Sequence, residues 1–203
     1  MGCGMWKQHG SRWKCNFWCK KLQLMKVVKT KAQLAKQEES LRKVFTSNDE
    51  EKTIKAIKKL RENGHPDLIA PILDLLAATE NDNVFSTVVS LLNDLKYQGA
   101  AQPLIDALNK EKYEGIRVFI LQTFWQSRLD ALPFLDEIVN LAIKSDYMVT
   151  LECLTIVESF KTAPTDEEII EVNTQLKDAI MDDPENKELL AGMIEALNDY
   201  MIG

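Results

Sequence analysis

Residues 91–108, LLNDLKYQGAAQPLIDAL, contain the pattern that decides the fold of this chain. Leucines at helical spacing end one amphipathic helix, Gly99 interrupts the pattern, and the next helix has Pro103 in its first turn. The step from Pro103 to Asp106, a proline followed by two apolar residues and an aspartate, also occurs at 71–74 and 133–136. The prolines are therefore 32 and 30 residues apart. A period in this range is typical of repeat proteins, in which similar units of secondary structure stack on one another.

Hydrophobic residues recur at helical spacing along the chain from residue 30 onward, and no stretch alternates as a strand does. We predict an all-α fold of about ten helices in five antiparallel pairs, joined by roughly two to six residues. One predicted helix runs from Val84 to Leu95, and Gly64 is expected to end another as a C-terminal glycine. The five units are assigned to residues 30–64, 66–98, 99–130, 131–161 and 165–203.

Charge is distributed unevenly along the chain. Residues 1–24 contain five basic residues and no acidic one, which leaves 20 basic against 31 acidic residues for 25–203. Because an acidic body repels phosphate groups, nucleic acid is not the expected partner. No apolar run approaches the ~18 residues that a membrane-spanning helix needs. Cys153 is the only cysteine of the body, which is compatible with a reducing compartment, and we expect a soluble, cytoplasmic protein.

Residues 1–24 differ in kind from the body, because they hold three of the four tryptophans and three of the four cysteines and show no period. We interpret them as a disordered or artefactual extension, with Met25 as a possible true start and 25–203 as a single repeat domain. A basic arm that contacts a membrane or nucleic acid is one alternative. N-myristoylation at Gly2 is another, although Trp6 stands where that signal has Ser or Thr.

A metal site in the same segment is the third alternative. Its candidate ligands are Cys3, His9, Cys15 and Cys19. Cys15 and Cys19 are spaced like one pair of zinc ligands, but a matching second pair is missing. We therefore expect no bound metal and no cofactor.

The pattern Leu91-x3-Leu95-x3-Gly99-Ala100-x2-Pro103-Leu104-Ile105-x-Ala107-Leu108 resembles the HEAT-like repeats, the short class also found in phycobilisome-lyase-type proteins. The resemblance covers residues 66–160 well and is looser over 30–64 and 165–203, where terminal units are expected to act as caps. The period is shorter than the HEAT and armadillo length of about 40–47 residues, and the last unit lacks the Pro-apolar-apolar-Asp step. This resemblance implies a right-handed, armadillo-like α-α superhelix that binds other macromolecules, and it supplies no catalytic residue.

Aligning the units by offsets of 32 and 30 residues places equivalent side chains in rows. In HEAT-like solenoids the second helix of each pair lines the concave side, which implies a concave strip formed by Asn93, Tyr97, Gln122, Trp125, Glu152 and Thr155. Aromatic residues in a polar strip are common interface anchors. Trp125 is either such an anchor or a core residue, because its helix is apolar nearly all round. Glu188, Glu195 and Asp199 continue the spacing on the last helix, as an acidic end of the strip or as an ordinary solvated face.

No catalytic motif emerges from the sequence. His65 precedes a proline in a predicted turn, and Cys153 has no histidine at motif spacing. We therefore predict a non-enzymatic scaffold or adaptor that binds a protein segment, basic or amphipathic in character, on the concave face; the oligomeric state stays open. The alternatives are nucleic-acid binding like that of the HEAT-like DNA glycosylases, which needs a basic concave stripe, and a lyase-like or chaperone-like subunit acting on a prosthetic group.

Overall fold

The computed structural model describes residues 30–47, 49–182 and 185–202, and these residues form ten α-helices and no strand. The helices are α1 (Lys31–Phe45), α2 (Glu50–Asn63), α3 (Ile69–Ala78), α4 (Asp82–Leu92), α5 (Ala101–Leu108), α6 (Arg117–Gln126), α7 (Leu135–Lys144), α8 (Tyr147–Glu158), α9 (Asp166–Met181) and α10 (Lys187–Ile202). Short 3₁₀ segments at Pro66–Leu68, Gln98–Ala100, Glu111–Ile116 and Leu132–Phe134 precede α3, α5, α6 and α7. The predicted all-α fold is confirmed.

Contacts between Cα atoms divide the chain between Gln37 and Glu38, within α1. The first unit is described only from residue 30 onward. There the Thr30 N–H donates to the Gln33 side chain, and the Gln33 N–H donates to the Thr30 hydroxyl. This reciprocal pair satisfies two amides at the start of α1 that have no partner within the helix.

The second unit, Glu38–Gly203, contains two rows of helices. The second helices of the pairs form one row, in which α2 packs against α4, α4 against α6, α6 against α8, and α8 against α10. In the other row α3 packs against α5 and α7 against α9. Stacked helix pairs of this kind make a solenoid. We call the solvent-facing side of the row α2, α4, α6, α8 and α10 the second-helix surface.

The aspartate of the repeated Pro-apolar-apolar-Asp step connects successive units. Asp74 on α3 accepts hydrogen bonds from Arg42 Nη1 at 2.8 Å, from the Tyr113 hydroxyl at 2.7 Å and from Lys112 Nζ. Asp136 on α7 accepts one from Gln175 Nε2 on α9 at 2.9 Å.

Asp106 is the exception to this arrangement. It accepts a hydrogen bond from Gln102, one turn earlier in α5. The repeated aspartate is therefore a structural residue, and at two of its three positions it joins neighbouring units.

Helix α4 ends at Leu92, so the predicted end at Leu95 is wrong by three residues. The Ser127 hydroxyl, which belongs to the next unit, donates to the Leu92 carbonyl at 2.7 Å and accepts from the Leu95 N–H at 3.1 Å. This side chain satisfies both backbone groups where the helix stops. Tyr97 consequently lies in a connecting segment, and the helical spacing used to place it in the strip does not apply.

Gly64 does follow the end of α2, but its backbone is extended, with φ −62° and ψ 153°, and not left-handed. Its role is close packing. A Cβ atom at this position would lie 2.7 Å from Tyr97 Cε1 and 3.0 Å from the Leu60 carbonyl oxygen. The absence of a side chain at Gly64 therefore lets the Tyr97 ring pack against the end of α2.

Candidate functional site

Three residues of the predicted strip form one hydrogen-bonded group. Gln122 Nε2 donates to Glu152 Oε1, and Trp125 Nε1 donates to Glu152 Oε2, both at 2.9 Å. Glu152 is only 7 % exposed, and a buried carboxylate needs such donors. The group bridges α6 and α8.

Trp125 packs against the hydrophobic core and is also partly exposed. It therefore belongs wholly neither to the core nor to the surface. Its hydrogen bond to Glu152 joins the edge of the indole to the next helix and fixes the orientation of the partly exposed ring. Rigid aromatic side chains of this kind lose little conformational entropy on binding.

The other three predicted strip residues have different surroundings. The Thr155 hydroxyl donates to the Leu151 carbonyl one turn earlier, at 3.0 Å. Asn93 follows α4, and its Oδ1 is buried without a hydrogen-bond partner in the described part of the chain. Tyr97 lies beside Gly64, and burial raises the pKa of its hydroxyl to about 12.

An open cleft of about 650 Å³ lies between α2 and α4. It is lined by Arg61, Phe85, Ser86, Val89, Ser90, Asn93 and Asp94. Arg61 Nη2 donates to the Ser90 hydroxyl at 2.6 Å, and Arg61 Nη1 donates to Asp94 Oδ2 at 3.2 Å. From the sequence, the basic residues Lys55, Lys58, Lys59 and Arg61 of this helix are interpreted as a solvated face, with a docking patch as the alternative, and Arg61 is not part of the predicted strip. Continuing the 32-residue offset toward the amino terminus places it level with Asn93, which is the signal that would have found it.

The opposite end of the second-helix surface is acidic. Glu188, Glu195 and Asp199 are all exposed on α10, and within the described ranges none of them forms an ion pair. Helix α10 packs against α8, with Gly192 placed so that a Cβ would lie 3.5 Å from Leu154 Cδ2. Met148, near the start of α8, is 49 % exposed.

Cys153, His65 and the pair Thr165 and Glu168 lie outside this surface. Cys153 is fully buried, and burial together with the neighbouring Glu152 raises the pKa of its thiol far above the ordinary value, which disfavours the nucleophilic thiolate. His65 Nδ1 accepts a hydrogen bond from the Asp67 N–H at the start of a 3₁₀ segment. Thr165 and Glu168 form the capping box of α9.

Among the described residues, no group of three or more His, Cys, Asp or Glu side chains could hold a metal ion. The candidate ligands Cys3, His9, Cys15 and Cys19, the acylation candidate Gly2 and the proposed start at Met25 lie outside the described residues. Of the described helices, none combines the length and the apolar character needed to cross a bilayer.

A family model described as HEAT repeats matches residues 38–121. The match begins within α1 and ends within α6. Neither the comparison with curated proteins nor that with solved structures returned a match. HEAT repeats commonly mediate protein–protein interaction, and their fold is typically non-enzymatic.

Proposed function

Because this chain is a HEAT-like repeat protein, we propose that it is a non-enzymatic scaffold that binds a protein segment on its second-helix surface. The observation that carries the proposal is the group formed by Gln122, Trp125 and Glu152. It holds a partly exposed indole between two neighbouring second helices. By resemblance to HEAT-like solenoids, the second-helix surface is the concave side.

The surroundings of Trp125 suit a protein ligand. An indole held in advance offers apolar area, and polar groups such as Gln122 and Thr155 lie one turn or one helix away. Interfaces combine such aromatic anchors with a polar rim that excludes water.

The charges disfavour a phosphate backbone as the ligand. The basic residues of the row, such as Lys58 and Arg61, are concentrated on α2, and the exposed acids of α10 lie at the other end of the same row of helices. Nucleic-acid binding depends on releasing counterions from several phosphates, which needs a run of unpaired cations. No specific observation favours the lyase-like or chaperone-like alternative. A cytoplasmic location is part of the proposal, because the body is held together by packing and Cys153 is a free, buried thiol.

Quantitative affinity capture from a lysate of the native source tests this function. Three variants are compared with the parent chain: Trp125→Ala, Thr155→Arg and Thr174→Arg. Thr155 and Thr174 form a matched pair, since each hydroxyl donates to the carbonyl four residues earlier. Thr155 lies on the second-helix row and Thr174 on α9 of the first-helix row.

Specific partners should be lost with Trp125→Ala and Thr155→Arg and kept with Thr174→Arg. Circular dichroism of each variant checks that it is folded. Equal capture by folded Trp125→Ala and Thr155→Arg would exclude this surface as the binding site.

A further inference from the structure

We propose that the second-helix surface binds an extended peptide segment of bipolar charge in one orientation, with its acidic end at the cleft around Arg61 and its basic end along α10. This inference rests on the proposed function and specifies its partner. The proposal depends on three regions of the surface that lie in order along the row of second helices.

The region at α2 is basic. Helix α2 has five basic and three acidic residues. Lys58 precedes Arg61 by one turn and is exposed, and within the described residues it forms no ion pair.

Within the cleft, Asp94 is the one carboxylate, and it is shared by Arg61 at 3.2 Å and Lys96 at 3.6 Å. The guanidinium has five N–H donors, and its described hydrogen bonds go to Ser90 and Asp94. Lys58 and Lys96 do not line the cleft, but Lys58 lies one turn before Arg61 on α2 and Lys96 is 3.6 Å from Asp94. Together with Arg61 these cations exceed the two carboxylates of this end, Asp94 and the exposed Glu62, so this end of the row suits carboxylates of a partner.

The middle region is partly aromatic. Phe85 lines the cleft and meets Phe119 of α6 edge-to-face, with ring centroids 5.0 Å apart. Trp125 lies on the same helix as Phe119. Its partner Glu152 is buried and accepts two hydrogen bonds. Apolar residues in the middle of a bound segment would cover this region.

The region at α10 is acidic. The helix has three acidic residues and one basic residue, Lys187. Glu188, Glu195 and Asp199 project to solvent at spacings of seven and four residues, which places them along one side of the helix. Met148, on the neighbouring helix α8, is also exposed. Lysine and arginine side chains combine a cation with an apolar stem, so they suit such a surface.

The distance between the two charged ends sets the length of the ligand. Four helix-to-helix steps of about 8–10 Å separate α2 from α10, or roughly 32–40 Å along the row. An extended chain advances about 3.3 Å per residue, so roughly 10–12 residues span the row. Charge order then selects the orientation, because the reversed segment would place like charges together at both ends.

Selection from a displayed library of random 12-residue peptides tests the inference. The targets are the full chain, the reversed-charge variant Lys58→Glu/Glu195→Lys/Asp199→Lys, and a control variant with the same net change on the first-helix row, Lys177→Glu/Glu137→Lys/Glu171→Lys. The best peptides are then synthesised together with versions in which the acidic and basic ends are exchanged. A photo-crosslinker at each end locates the bound peptide.

The full chain and the control variant should enrich peptides with acidic residues at one end, basic residues at the other and apolar residues between. Exchanging the ends should weaken binding about 10-fold, and the reversed-charge variant should remove or invert this preference. Crosslinks from the acidic end should fall on α2 and α4, and those from the basic end on α8 and α10.

Two outcomes overturn the inference and differ in what they say about the proposed function. Some enriched peptides could fail to bind the Thr155→Arg variant and yet carry their charges in no fixed order, or in the opposite order. This result would refute the proposed orientation but still support the second-helix surface as the binding site. If no enriched peptide depends on Trp125 or Thr155, both the orientation and the binding surface are refuted.

Discussion

The indole N–H of Trp125 donates a 2.9 Å hydrogen bond to Glu152, 27 residues away on the next second helix. The carboxylate receives its other described hydrogen bond from Gln122, one turn before Trp125. Trp125, expected to act at the surface, thus also joins two neighbouring helix pairs through this hydrogen bond. The proposed binding role and the stability of the fold therefore depend on the same side chain, and variants of Trp125 need to be judged on both.

Replacing Trp125 with Phe should lower the free energy of unfolding by about 1–3 kcal/mol, because Glu152 Oε2 would be left buried without its donor. Urea unfolding of Trp125→Phe, Glu152→Gln and the double variant measures the effect and the coupling between the two side chains. A coupling of about 0.5–3 kcal/mol is expected for residues in one hydrogen-bond network.

Gln126→Ala is the control, since Gln126 is exposed on the same helix and its replacement should change stability by no more than about 0.5 kcal/mol. Strictly additive effects of the Trp125 and Glu152 changes would contradict the bond.

Asp74 should make the stability of the protein depend on pH at the acidic end of the scale. Burial opposes ionisation of this carboxyl, but hydrogen bonds from Lys112, Arg42 and Tyr113 outweigh it and hold the pKa at about 2, below the ordinary 3.8. A lowered pKa in the folded state stabilises the fold above the unfolded pKa, and this stabilisation disappears as pH falls toward about 2.

Asp74→Asn should therefore reduce stability by about 1–2 kcal/mol at pH 7, after allowing for solvent screening, and by little near pH 2. Asp106→Asn is the matched control, because Asp106 occupies the equivalent position and bonds only within its own helix among the described contacts. Chemical denaturation across pH 2–7 measures both. A pH-independent difference between Asp74→Asn and the parent would contradict the assignment.

Gly64→Ala should destabilise the protein by about 1–3 kcal/mol, since the new methyl group would overlap the Tyr97 ring and the Leu60 carbonyl. Gly64→Ala should cost less stability in a Tyr97→Ala background than in the parent chain, because the overlap with the ring is then absent. Thermal unfolding of both single variants and the double variant measures this difference.

Gly115→Ala serves as the comparison, because a Cβ at Gly115 would meet no atom within 4 Å. It should leave stability unchanged or raise it by up to about 1 kcal/mol. Similar losses at Gly64 and Gly115 would mean that close packing is not the reason for the glycine at 64.

Cys153 should resist alkylation in the native protein, because burial raises the pKa of its thiol and blocks access of the reagent. Pulsed alkylation with iodoacetamide, followed by digestion and mass spectrometry, should find the Cys153 peptide unmodified without denaturant and modified in denaturant. Rapid labelling in the native state would show that α8 opens locally.

By itself, the sequence determined the class of fold and the number of helices, because helical periodicity and capping residues act within a few positions of each other. The 32- and 30-residue offsets also aligned Gln122 with Glu152 and identified Trp125 as a residue of interest, since repetition converts sequence separation into spatial neighbourhood. The tertiary structure decided what these residues do. In the folded chain, Gln122 and Trp125 both donate hydrogen bonds to Glu152, and Ser127 bonds the backbone where α4 ends at Leu92. Gly64 packs closely against Tyr97, and Arg61 lines a cleft. Each of these depends on a side chain about 30 residues away, and local propensity contains no information on such a contact.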